Sequence, residues 1–129
     1  MAIDPNMPVL FVEDDRIQRR MISSVLKNAG LTNVDEAADG KEAVPMLEAK
    51  NYRLIISDWN MPEMSGYELI KHVRATEKTK AIPFIMMTAE NRMENIKAAA
   101  EAGINGYIKK PFSPVVVKEK IEQVFKDKF

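Results

Sequence analysis

The sequence predicts an α/β fold in which a five-stranded parallel sheet is covered by helices on both faces. Two observations predict it. Five short runs rich in β-branched or bulky apolar residues are spread along the chain, and longer stretches of helical period separate them. The runs are 9–12, a weaker one at 34–37, 54–56, 82–87 and 107–108. In the first helical stretch Ile17, Met21, Val25 and Ala29 recur at steps of three and four, with Ile22 and Leu26 beside them, and Gly30 is placed to stop the helix. Asp39-Gly40 opens a second helix reaching Leu47, in which Pro45 removes one backbone hydrogen bond and should kink the helix or delay its start. Ser65-Gly66 opens a third, carrying Leu69, Ile70 and Val73. A fourth runs from about Asn91 to Ala102, before Gly103. The fifth begins near Ser113-Pro114, a hydroxyl N-cap followed by proline at the first helical position, and packs Val117, Ile121, Val124 and Phe125. The unit is (βα)5, doubly wound.

With 129 residues the chain is the size of one domain, expected over 8–129 with a short flexible lead-in at 1–7. Nineteen basic residues balance nineteen acidic ones, so no global field draws the molecule to nucleic acid or to an anionic membrane. There is no cysteine, which excludes a disulfide framework and a thiolate zinc site and fits a reducing compartment. No apolar run approaches membrane-spanning length, and the expectation is a cytoplasmic monomer.

Right-handed crossovers on a parallel sheet place every strand's carboxyl end on one edge, where open α/β folds bind ligands. The residues that follow the runs should therefore converge. They are Glu13-Asp14-Asp15, Ser57-Asp58-Trp59-Asn60, Thr88-Ala89-Glu90 and Lys109-Lys110-Pro111. Taken singly each has an ordinary explanation: Asp14 or Asp15 as a helix N-cap, Asp58 as a turn residue, Thr88 as a strand residue, Lys110 as a solvated lysine. Taken together they suit the joint binding of a hard divalent cation and a phosphoryl group. Carboxylates hold Mg²⁺, and the cation reverses the local sign that would repel a phosphoryl donor. The lysine and the hydroxyl serve phosphate oxygens.

These segments, read as Val12-Glu13-Asp14-Asp15, Ser57-Asp58-Trp59-Asn60-Met61-Pro62, Met87-Thr88-Ala89-Glu90 and Gly106-Tyr107-Ile108-Lys109-Lys110-Pro111-Phe112, resemble the receiver domain of bacterial two-component signalling, of the chemotaxis type. The resemblance runs from Val9 to Phe125 and implies a flavodoxin-like sheet of strand order 2-1-3-4-5. It implies that Asp58 is the phosphoacceptor, with Mg²⁺ held by Asp58, Asp14, Glu13 directly or through water, and the Asn60 backbone carbonyl. Thr88 and Lys110 would bind phosphoryl oxygens, and Lys110-Pro111 would be cis. Three acids stand in a row, so the metal pair could be Glu13/Asp14 or Asp14/Asp15; Glu13/Asp14 keeps the first strand and helix in the family's frame. Asn60 and Glu90 occupy the positions that tune dephosphorylation, and both match the rapidly reset type. Thr88 and Tyr107 form the switch pair, and Ile96, Ile104, Tyr107 and Lys120 the responding surface.

The implied partners are a histidine kinase and the flagellar motor switch or another protein target, with a phosphatase as a possible third; the implied activity is confined to the protein's own phosphorylation and reset. One alternative is a phosphorelay intermediate or phosphate sink. An aspartyl-nucleophile phosphohydrolase is more distant. Those enzymes usually place the nucleophile on the first strand with a second acid two residues later, where this chain has Asn60. A flavin carrier would need a hydroxyl- and glycine-rich loop after the first strand, and Glu13-Asp14-Asp15 stands there instead.

Overall fold

The computed structural model describes residues 4–89 and 93–127, the side chains of Met93 and Asp127 excepted. Its elements are β1 (Val9–Val12), α1 (Arg16–Asn28), β2 (Val34–Ala37), α2 (Gly40–Ala49), β3 (Leu54–Asp58), α3 (Gly66–Ala75), β4 (Phe84–Thr88), α4 (Met93–Ala102), β5 (Gly106–Lys109) and α5 (Pro114–Asp127). All strand pairs are parallel, in the order β2-β1-β3-β4-β5. This is the flavodoxin-like arrangement.

Alternation along the strands divides the core into two layers. Val9, Phe11, Leu54, Ile56, Ile85 and Met87 point to one face, where α1 and α5 close over them with Ile22, Leu26, Val117, Ile121 and Val124. Leu10, Val12, Ile55, Phe84 and Met86 point to the other, covered by Ala43 and Leu47 of α2 and by Leu69, Ile70 and Val73 of α3. Both faces are covered, so the central strands β1, β3 and β4 are buried along their whole length.

Helix ends follow the residues that mark them. Asp15 accepts from the N–H groups of Ile17 and Gln18, Asp39 from Glu42, and Ser65 forms a capping box with Glu68. Gly30 and Gly103 lie at φ of 106° and 113°, a conformation that side chains disfavour. At each, the next residue's N–H turns back on the last helical turn, Leu31 to Leu26 and Ile104 to Ala99.

The molecule departs from the sequence expectations in three places. Ile17 and Met21 are 72% and 65% exposed. The core-facing stripe of α1 is instead Ile22, Leu26 and Ala29. α2 runs unbroken through Pro45 and starts at Gly40, so its start is not delayed. Pro45 is exposed, as is Lys41, whose carbonyl would have accepted the missing bond, and water can take its place. Ahead of β1, Thr32 donates to the Pro5 carbonyl from its N–H and hydroxyl (2.9 and 2.7 Å), and Met7 is buried. Finally, the bounds of two strands shift: β3 runs on past the predicted 54–56 to Asp58, and β4 starts at Phe84 rather than 82 and ends at Thr88. The predicted start of α4 at Asn91 lies outside the described residues, in which no helix is long and apolar enough to cross a membrane.

Candidate functional site

The sheet register sets the site. Val12 pairs with Ser57, Asp58 with Met87 and Thr88 with Lys109, so the loops after β1 and β5 and the last residues of β3 and β4 share one edge. Lys110 is at the centre. Its Nζ donates to Asp58 Oδ1 at 2.9 Å, Glu13 Oε1 at 2.9 Å and Gln18 Oε1 at 2.8 Å. Its backbone N–H donates to the Thr88 carbonyl at 2.9 Å, and the Lys110-Pro111 bond is cis.

Glu13 is only 1% exposed. Its second oxygen accepts from the Asp15 N–H at 3.3 Å, and Arg19 Nη1 donates to its carbonyl at 2.9 Å. The three consecutive acids take two roles. Asp15 is the N-cap of α1, while Glu13, Asp14 and Asp58 each present an oxygen, all within 4.8 Å of one another. Asp14 is exposed where Glu13 is not, which leaves the cluster open to solvent on one side.

Electrostatics make this cluster costly. Burial pushes the Asp58 carboxyl above its ordinary value, and the hydrogen bond and charge of Lys110 do not fully offset it. Glu13 is raised for the same reason, with the Asp58 charge adding to burial. For Lys110 burial acts downward, but its bonds to Asp58 and Glu13 prevail and raise it. Three carboxylates against one ammonium leave two negative charges over. An all-oxygen donor set with that excess fits a hard dication such as Mg²⁺.

Beyond Asp58, the loop to α3 turns through Glu63 at φ 65°. Asp14, Trp59, Asn60, Met61, Pro62 and Ser65 line an open cleft of about 360 Å³ beside the carboxylates. Asn60 is exposed within it, and the Trp59 ring stacks on Tyr67 with centroids 6.0 Å apart. Gly66 packs directly under the site. A Cβ there would lie 2.3 Å from the Asp58 carbonyl oxygen and 2.8 Å from Met86 Sδ.

Glu13, Asp14, Asp58, Thr88 and Lys110 thus share the edge at which the sequence places them. Tyr107 stands apart on β5, 39% exposed, with Ile96, Ile104 and Lys120 half-buried on α4, the following loop and α5. Glu90 lies outside the described residues. Three contributors escaped the sequence reading: Gln18, Arg19 and Gly66. Asp15-Arg16-Ile17-Gln18 carries the spacing of a capping box, in which Gln18 would turn back to the Asp15 N–H, yet that N–H goes to Glu13 and Gln18 to Lys110.

Known proteins resemble the chain over nearly all of its length. A family model described as the response regulator receiver domain matches residues 9–122. The chemotaxis protein CheY of Pseudomonas aeruginosa is 47% identical over 119 residues, 92% of this chain and 96% of that protein. CheY-3 of Vibrio cholerae is 43% identical over 123 residues, 95% of each. Among solved structures, Vibrio cholerae CheY4 superposes with a TM-score of 0.84 at 36% identity, covering 92% of this chain and 98% of that one. The receiver domain of a Pseudomonas aeruginosa sensor histidine kinase, solved with a magnesium ion in its active-site cleft, gives 0.82 at 28% identity, covering 93% and 98%. Five parallel strands in the matching order, four strand ends meeting at Lys110, and this breadth of likeness give one conclusion: the chain belongs to the response regulator receiver family.

Proposed function

We propose that the protein is a CheY-like response regulator that takes a phosphoryl group on Asp58 from a phosphohistidine of its kinase and signals by binding a protein target, in chemotaxis the flagellar motor switch. The observation that carries this is the buried Asp58 carboxylate, bonded to Lys110 at 2.9 Å with Glu13 and Asp14 alongside. A carboxylate raised by burial and crowded by like charge is a strained ground state that a cation and a phosphoryl group both relieve.

Asp58, Asp14, Glu13 and the Asn60 carbonyl would hold Mg²⁺, which supplies neutralisation of the phosphoryl charge when bound. Glu13 already gives one oxygen to Lys110 and the other to the Asp15 N–H, which suits a ligand acting through water. An Asp58 oxygen attacks phosphorus in line, the P–N bond breaks, and the imidazole leaves with its electron pair. Lys110 meets the charge on the phosphoryl oxygens, and Thr88 donates its hydroxyl to another. The product is an acyl phosphate. Water cleaves it at a rate set by the side chains at Asn60 and Glu90, so reset is fast.

Phosphorylation draws Thr88 toward the new acceptor, and exposed Tyr107 follows into the vacated space. Ile96, Ile104, Tyr107 and Lys120 then present the altered surface. Meeting kinase and motor, the protein works in the cytoplasm as a monomer. The test is incubation with Mg²⁺ and a small acyl phosphate, read by intact mass. Wild type gains one phosphoryl group and loses it within minutes, while Asp58→Ala gains none; equal labelling of the two sinks the reading.

A further inference from the structure

The Lys110 ammonium has three protons and three acceptors, of which Asp58 and Glu13 are charged and Gln18 is neutral. Gln18 belongs to a closed ring of hydrogen bonds. Glu13 Oε2 accepts from the Asp15 N–H (3.3 Å), Asp15 Oδ1 from the Gln18 N–H (3.1 Å), Gln18 Oε1 from Lys110 Nζ (2.8 Å), and Lys110 Nζ donates back to Glu13 Oε1 (2.9 Å). The ring ties the carboxylate loop, the first turn of α1 and the loop after β5 into one unit. The α1 cap fixes the backbone of Gln18, so the place of its side chain is decided by the same acid that was a rival candidate for the metal.

We propose that Gln18 is a positioning residue for phosphoryl transfer, its carboxamide oxygen holding the Lys110 ammonium where the incoming phosphoryl oxygen will need it. The proposal rests on Asp58 being the phosphoacceptor. When a phosphoryl group joins Asp58, the contact from Lys110 to Asp58 passes to a phosphoryl oxygen, while Glu13 and Gln18 keep the ammonium in place. A preset donor has no reorganisation to make at the moment of transfer. A neutral acceptor suits the position because a fourth carboxylate would repel the phosphoryl donor, and an apolar side chain would leave the ammonium held by Asp58 and Glu13 alone, and by Glu13 alone once Asp58 is phosphorylated.

The experiment follows Asp58 labelling by a small acyl phosphate at saturating Mg²⁺, with Mg²⁺ affinity read from Trp59 fluorescence and thermal unfolding measured alongside. Gln18→Met keeps the length and removes the acceptor. Labelling should slow by about three- to tenfold, the effect of one net hydrogen bond, with Mg²⁺ affinity and unfolding midpoint unchanged. Gln18→Asn stays polar but falls short of Lys110, and should match Gln18→Met. Gln18→Glu restores the acceptor and, in high salt where its charge is screened, should label faster than Gln18→Met. Wild-type labelling by Gln18→Met overturns the proposal, as does slowing matched by an equal loss of Mg²⁺ affinity, or Gln18→Glu slower than Gln18→Met. Failure of the wild type itself to label overturns the phosphoacceptor reading instead, and the proposal with it.

Discussion

Two aspartates in this molecule each meet a lysine ammonium at nearly the same distance, Asp35 with Lys50 at 2.8 Å and Asp58 with Lys110 at 2.9 Å, and their ionisation moves in opposite directions. Asp35, on the edge strand β2, is held below its ordinary value by hydrogen bonds from Lys50 and from the Tyr52 hydroxyl, the latter at 2.7 Å. Asp58, at the buried end of the central strand β3, is pushed above it by burial that Lys110 does not offset. Pairing distance therefore does not decide what an ion pair does. Solvent and neighbouring charge do: one pair is a half-exposed brace, and the other is a site left in want of positive charge.

Removing the two lysines should separate the pairs most sharply. Lys110→Ala leaves Glu13, Asp14 and Asp58 without their ammonium and should cost about 2–3 kcal/mol at neutral pH, below the full range for a wholly buried pair because the cleft admits water. Lys50→Ala should cost only about 0.5 kcal/mol. Denaturant unfolding in paired samples measures both, and Mg²⁺ should restore part of the loss in Lys110→Ala alone. Similar costs for the two variants would erase the distinction.

The backbone beneath Asp58 gives the next effect in size. Gly66→Ala drives a methyl group into the Asp58 carbonyl oxygen, a main-chain atom that cannot rotate aside. It should destabilise the fold by about 1–3 kcal/mol and slow Asp58 labelling as the strand end shifts. Stability at wild-type level would show that the β3–α3 loop yields more readily than its packing implies.

That contact also marks where the sequence stops being informative. Glu13, Asp58, Thr88 and Lys110 could be placed on one edge because a parallel sheet sends every strand's carboxyl end the same way, so the topology does the work of an alignment in space. Gly66 could be read only as a helix start, since nothing in a linear pattern says that a carbonyl will press against its α-carbon. Gln18 meets a lysine 92 positions away. Asp14 and Asp15 are chemically interchangeable as cap or ligand, and only the helix geometry assigns the cap to Asp15. Arg74 was unremarked for a similar reason. Its guanidinium is half-buried and donates to the carbonyls of Lys80, Ile82 and Gly103 and to Asn105, closing the amino edge of the sheet through acceptors that carry no sequence signal. The apolar period of α1 was legible, but its phase was not, because two stripes one residue apart, through Ile17 and Met21 or through Ile22 and Leu26, fit a helix equally well.

Asp58→Asn should stabilise the metal-free protein, at some 1 kcal/mol and a few degrees in unfolding midpoint at pH 7. The sign follows from linkage. A carboxyl raised in the folded state contributes stability that is fully present below its unfolded value, 3.8 for Asp58, and is lost as pH rises through the raised value. Where Asp58 is ionised the wild type bears the cost of the buried charge and the asparagine does not. The advantage should shrink as the pH falls and vanish below the unfolded value. A midpoint lowered at neutral pH would mean that the Lys110 pair stabilises more than burial costs.

Asp35→Asn should behave in the opposite sense and with the smallest effect. A carboxyl lowered in the folded state contributes stability above its unfolded value, again 3.8, and loses it as pH falls through the lowered one. Neutralising it leaves Lys50 unpaired and weakens the bond from Tyr52, at a cost of ~0.5 kcal/mol at neutral pH that salt reduces, since both partners stand well in solvent. Thermal unfolding of Asp35→Asn and Asp58→Asn over one pH series should give midpoint differences of opposite sign at pH 7 that both fade in acid. Equal signs would show that burial does not separate the two aspartates, and the case for Asp58 as a carboxylate awaiting a cation and a phosphoryl group would lose its electrostatic support.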